Sequence, residues 1–127
     1  GLGQTTAVSI GGDAIIGSTY ADLMPKFEAD PETRAVVIYS EPGGPMEAQL
    51  ADYVKRTGSR LPIIAFMAGR FMDDMPGMRF GHAGTIVEGR ADTSTEKIRL
   101  LEAAGISVAE DIAEIPRLVR ERANLQG

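Results

Sequence analysis

The feature that most constrains this chain is an alternation of two periodicities. Short β-branched apolar runs, TTAVSI (5–10), AVVIYS (35–40), PIIAFM (62–67) and the weaker ISVA (106–109), alternate with longer segments of helical period. Those segments are TYADLMPKFEAD (19–30), PMEAQLADYVKRTG (45–58), TSTEKIRLLEAAG (93–105) and EDIAEIPRLVRERA (110–123). Parallel strands need crossover connections, and crossover helices cover the sheet, so the pattern predicts an α/β fold: a parallel sheet of about four strands, with helices on both faces.

Local signals agree with the division. Thr93 followed by Glu96 has capping-box spacing, and Gly105 after LLEAA suits a left-handed residue at a helix end. Pro45 is expected in the first helical turn, where its missing N–H is no loss. Pro25 and Pro116 predict either a kink or a later helix start.

At 127 residues the chain is long enough for one domain with one core. Its apolar runs, such as LPIIAFMAG, fall far short of the ~18 residues a membrane span needs, so a soluble globular domain is expected. A net charge of −5 argues against a nucleic-acid surface. The one basic concentration, Arg117, Arg120 and Arg122, is expected on a solvated helix face. With no cysteine there is no disulfide framework and no thiolate chemistry, and a cytoplasmic setting fits. The opening GLGQTTAVSIGGD has neither the basic nor the apolar region of a signal peptide and starts abruptly, like a fragment.

The long irregular stretch runs from Gly69 to about Asp92 and follows the end of a strand. Open α/β sheets bind ligands at the carboxyl ends of their strands, so this loop is the expected site. It carries the chain's single histidine, His82, between Gly81 and the pair Ala83, Gly84. An imidazole can serve as a general base, metal ligand, phosphoryl acceptor or structural group. His82 with Asp73 and Asp74 is a poor set for zinc, and the two acids are expected to be solvated. Gly81 and Gly84 either permit turns or let backbone N–H groups approach an anion.

In YSEPGGPMEAQ a strand ends at Ser40 and a helix begins after Gly43 and Gly44, which puts Glu41 at a carboxyl strand end. A carboxylate there either faces solvent or accepts a hydrogen bond from one nitrogen of His82, leaving the other nucleophilic. The helix opened by GGPME could favour an anion at its N-terminus. SIGGDAIIG lacks the Gly-Lys-Ser/Thr ending of a P-loop and is expected to be a tight strand-to-helix connection.

GQTTAVSIGGD, EPGGPMEAQLADYV, IIAFMAG, RFGHAG and TSTEKIRLLEAAGISVAEDIAEIPRLV follow one another in a familiar order and spacing. Together they resemble the C-terminal ligase domain of the α subunit of succinyl-CoA synthetase and related NDP-forming acyl-CoA ligases. The resemblance implies a three-layer, flavodoxin-like open parallel sheet. It implies that His82 is the phosphohistidine, that Glu41 orients it, and that Gly43, Gly44, Arg79, Gly81 and Gly84 surround the phosphoryl group. It also implies that a nucleoside triphosphate, ATP or GTP with Mg, phosphorylates the histidine, which hands the phosphoryl group to a carboxylic acid before CoA attacks the acyl phosphate. Phe80 stands where the family usually has methionine.

In that family a CoA-binding domain, a strand and a helix precede this segment, and the nucleotide site lies on an ATP-grasp β subunit or fused region. The chain alone is therefore expected to bind none of these cofactors and to complete no turnover. If the sheet is flavodoxin-like, the absent strand is central. The expected consequence is a gap in the sheet, met by rearrangement, by strand exchange with a second copy, or by a complex containing the missing piece. The alternative is a non-catalytic flavodoxin-like binding or regulatory module, which would need neither His82 nor Glu41. A receiver-type signalling domain is disfavoured, since Gly11, Gly12 and Asp13 close the first run without an acidic cluster.

Overall fold

The computed structural model describes residues 1–13, 15–81, 87 and 89–125. Its sheet has three parallel strands, β1 (Val36–Ser40), β2 (Ile63–Met67) and β3 (Ser107–Ala109), in the order β1-β2-β3. Val36 is opposite Ile63 and Ser40 opposite Met67, while Ile64 to Phe66 face Ser107 to Ala109. Four α-helices complete the unit: α1 (Tyr20–Ala29), α2 (Met46–Thr57), α3 (Ser94–Ala103) and α4 (Ile115–Arg122).

The helices start and stop where their ends can be satisfied. At α1 the Thr19 hydroxyl accepts from the Asp22 N–H, and the Asp22 carboxylate accepts from the Thr19 N–H, a complete capping box. At α3 only half of the expected box forms: Thr93 accepts from the Glu96 N–H, whereas the Glu96 carboxylate turns to Arg99. Gly58 closes α2 and Gly105 follows α3, both with positive φ. Pro45 is the N-cap of α2 rather than a residue of its first turn. Helix α1 runs on through Pro25, and α4 starts late, after a 3₁₀ turn at Ile112–Glu114, which puts Pro116 in its opening turn.

Apolar burial makes the layers. Met24 of α1, Leu50 of α2 and Leu101 of α3 form one cluster with Ile38, Ile63, Ala65 and Met67, so these three helices share one sheet face. Helix α4 packs on β2 and β3 from the other side, with Val119 buried. Arg117 bridges Glu114 and Glu121 on the exposed side of α4, and Arg122, also exposed, donates to the Gly105 carbonyl, whereas Arg120 is half-buried and lines a groove instead of joining a solvated face.

The expected strand at 5–10 does not form. Its composition is as strand-like as that of β1, but a strand exists only by pairing, and this run has no ladder partner and lies largely exposed. The sheet therefore has one strand fewer than expected. Between residues 1–12 and β1 lies a groove of about 1330 Å³ whose walls include Val8, Ile10, Val37 and Tyr39. Val37 and Tyr39 are 47% and 59% exposed, unusual for a parallel strand, because α4 packs mainly on β2 and β3. The β1–β2 ladder uses Val36 N–H and the Ser40 carbonyl, so Val37 and Tyr39 turn their backbone groups to the open side. There the Tyr20 hydroxyl donates to the Tyr39 carbonyl at 2.8 Å.

Hydrogen exchange followed by mass spectrometry should show the difference. Amides of 63–67 are expected to be strongly protected and those of 5–10 to exchange rapidly; equal protection of both would mean that 5–10 is paired after all.

Candidate functional site

Two loops meet at the carboxyl end of the sheet. The first, Glu41 to Pro45, leaves β1; Pro42 and Gly43 are buried, while Glu41 is half-buried. Gly43 and Gly44 have φ of 87° and 70°, a left-handed pair that turns the chain from β1 into α2. The second loop leaves β2. Ala68 N–H donates to the Ser40 carbonyl at 2.8 Å, and a Cβ on Gly69 would come within 3.1 Å of Pro42 and 2.9 Å of the Met72 sulfur. With φ at 68°, Gly69 is thus required both by backbone conformation and by the close approach of the loops.

Beyond Gly69 the chain makes a 3₁₀ turn, Arg70–Asp74, buries Met72, and runs on to Arg79 and Gly81, both exposed. Arg79 Nε donates to the Gly81 carbonyl at 3.2 Å, and Phe80 stacks edge-on against Phe71 with ring centres 5.3 Å apart. Gly77 N–H donates to the Val87 carbonyl, which draws together the two ends of the segment carrying the histidine. His82 and Gly84 themselves lie outside the described residues. The structure thus brings the Glu41–Gly44 turn and the loop that leads to Arg79 and Gly81 to one end of the sheet.

The start of α3 ties the two loops together, through residues that sequence reasoning missed. Gly43 N–H donates to the Asp92 carbonyl at 3.0 Å. Asp73, expected to be a solvated loop acid, is instead a cap for α3: its carboxylate accepts from Ser94 N–H at 2.6 Å, Thr95 N–H at 3.0 Å and the Thr95 hydroxyl at 3.0 Å. Burial alone would raise the Asp73 pKa, but the Ser94 and Thr95 hydrogen bonds outweigh it and hold the carboxyl below its ordinary value. Nothing local marked Asp73, because its partners are about twenty residues downstream.

The largest fully buried polar side chain among the described residues is Lys97 of α3, 2% exposed. Its ammonium donates to the carboxylate of Glu47, also 2% exposed, at 2.5 Å, to the Glu41 carbonyl at 3.1 Å, and to the Gly43 carbonyl. All three ammonium protons are therefore used. A clue lay in the helical period: Lys97 sits four residues before buried Leu101, and Glu47 three before buried Leu50, so both charges occupy core stripes. Tyr20 is the other residue not foreseen. Burial, and then the negative charges of Glu47 and Glu41, raise its pKa against the opposing hydrogen bond with Ser40. Among the described residues no cluster of three metal-ligating side chains occurs, and no helix is long and apolar enough to cross a membrane.

An open parallel α/β unit with a carboxylate-bearing turn and a long loop meeting at its strand ends is the class of fold that these elements define. The comparisons then place it: the family model described as CoA-ligase matches residues 1–108, and the chain belongs to that family. It is 42% identical over 120 residues to the succinate–CoA ligase [ADP-forming] subunit alpha 1 of Archaeoglobus fulgidus, covering 94% of this chain and 40% of the relative. It is 39% identical over 127 residues to the corresponding alpha subunit of Staphylococcus aureus, covering 100% of this chain and 41% of the relative. Among solved structures, ATP citrate lyase of Methanosaeta concilii in complex with (3S)-citryl-CoA superposes with a TM-score of 0.81 at 25% identity, over 91% of this chain and 19% of that one. The chain spans about two fifths of the length of the curated relatives it matches.

The Asp73 cap has a pH signature. Asp73→Asn should lower stability at pH 7 by about 1 kcal/mol in urea denaturation, the worth of a charge at a helix start. The unfolded carboxyl titrates near ~3.9 and the folded one lower, so the contribution is complete above that value and fades as pH falls through the folded pKa. The two proteins should converge in acid; a difference that persists there would contradict the assignment.

Proposed function

We propose that these residues form the phosphoryl-relay domain of an NDP-forming acyl-CoA ligase. In this reading a ring nitrogen of His82 attacks the terminal phosphorus of ATP or GTP; the P–O bond breaks, a P–N bond forms and the nucleoside diphosphate leaves. A carboxylate oxygen of the acid substrate then attacks that phosphorus, the P–N bond breaks, and an acyl phosphate results. The thiolate of CoA attacks its carbonyl carbon, and inorganic phosphate departs with the bonding electrons. Glu41 accepts a hydrogen bond from the other ring nitrogen, fixing the tautomer and stabilising the charge the ring acquires.

The observation that carries the reading is the meeting of the Glu41–Gly44 turn with the His82-bearing loop at one end of the sheet, in a chain of the CoA-ligase family. Pro45 caps α2 without a side-chain acceptor, which leaves the helix N-terminus available to an anion. Arg79 supplies a guanidinium, and Gly81 and Gly84 supply room, beside a phosphorylated His82. The acid is a carboxylate of the kind handled by the relatives, whose names specify succinate and citrate.

The nucleotide, with Mg, is assigned to an ATP-grasp β subunit or fused region, and CoA to a CoA-binding domain. The relatives are long enough to hold more than this unit, and alpha-subunit relatives imply a beta-subunit partner. The groove beside β1 suits an extended segment of that larger assembly, which would pair with the open edge. A second copy exchanging strands there is the other arrangement, and a cytoplasmic setting fits both. By itself the domain is expected to complete no turnover.

The native full-length chain with its nucleotide-binding partner should take up acid-labile label from γ-labelled ATP or GTP. His82→Ala should abolish the label, and Glu41→Gln should slow its appearance by roughly 10²-fold or more. Label that persists in His82→Ala would sink the relay.

A further inference from the structure

The Lys97–Glu47 pair lies outside the chemistry just described, and burial makes it expensive. Taking two charges out of water costs about as much as their attraction returns, and such pairs can often be replaced by apolar side chains without loss of stability. Here the ammonium also serves two other oxygens, the carbonyls of Glu41 and Gly43, which bracket buried Pro42 in the turn out of β1. We infer that Lys97, held by Glu47, is a positioning residue for Glu41: by fixing the carbonyls on both sides of Pro42 it sets the direction in which the Glu41 carboxylate leaves the strand. The inference rests on the reading that Glu41 orients His82.

The geometry of the turn supports the role. Gly43 and Gly44 are both left-handed, with little intrinsic preference for one conformation, and Pro45 donates no hydrogen bond. What fixes the turn comes from α3 and its approach: Lys97 on two carbonyls, and the Asp92 carbonyl accepting from Gly43 N–H. Glu47, in the first turn of α2, accepts from the same ammonium and so holds it beside the turn. An apolar residue at 97 would fill the same volume but leave the Glu41 and Gly43 carbonyls without that donor, free to swing. Loss of about an ångström of alignment at a reacting centre is worth roughly 10²-fold in rate.

The test uses the native full-length chain with its nucleotide-binding partner, and follows single-turnover labelling of His82 from γ-labelled nucleotide. The principal variant is Lys97→Met with Glu47→Leu, which removes both charges together. Glu47→Gln, which keeps an acceptor for the ammonium, is the second, and circular dichroism confirms folding of each. The double variant is expected to label roughly 10²-fold more slowly with the nucleotide KM unchanged within about twofold, and Glu47→Gln to fall between it and the wild type. Adding Glu41→Gln to the double variant should slow it little further, because a residue acting through Glu41 has nothing left to position. A folded double variant that labels at the wild-type rate, or losses that multiply when Glu41→Gln is added, would overturn the positioning role alone. If the double variant does not fold, a wild-type rate in Glu47→Gln overturns it equally. Wild-type label that survives His82→Ala would instead overturn the relay, and the positioning role with it.

Discussion

Lys97 is the interaction on which this end of the molecule depends. One ammonium, 2% exposed, joins three chain segments that are distant in sequence: α3, which carries it, α2 through Glu47, and the turn between β1 and α2 through two carbonyls. A buried cation needs a counter-charge and all of its protons donated, so each contact constrains the others. The consequence is a carboxyl-end turn whose shape is decided by packing from below rather than by its own glycine-rich sequence. Asp73 repeats the device one loop further on, using a carboxylate to hold the start of α3 against the chain leaving β2.

The opposite feature is the open side of β1. Three strands are paired, but Val37 and Tyr39 of β1 stay exposed, and the run 5–10 stands off across a groove. The unit therefore has a polar-pinned end where the loops meet and, along its flank, an edge with no ladder partner. In the proposed assembly the first would supply the relay and the second the attachment.

Much of the fold was legible because its signals are local. The runs at 35–40, 62–67 and 106–109 became strands within a residue or so, and all four helical segments formed, the last starting later, one of the two outcomes that Pro116 allowed. TTAVSI failed for a physical reason: β-propensity describes a residue's fit to a sheet, and 5–10 has no strand to pair with. The meeting of the Glu41 turn and the long loop could be read from the rule that open sheets bind at strand ends. Asp73, Tyr20, Glu47 and Lys97 could not be read so easily, because each takes its role from partners that only the tertiary fold brings near. Lys97 and Glu47 at core positions of amphipathic helices were the one warning, since polar residues there must find each other or something like each other.

The most direct measurement on the central constraint is the side-chain NH₃⁺ signal of lysine in ¹⁵N-labelled protein. The other lysines, Lys26 and Lys55, are exposed, so their ammonium protons exchange rapidly with water at neutral pH. A triply bonded, buried Lys97 should give one slowly exchanging NH₃⁺ resonance, absent from Lys97→Met and perturbed by Glu47→Gln. If no protected ammonium appears in a folded sample, Lys97 does not hold the turn, and the account of the site built on it is contradicted.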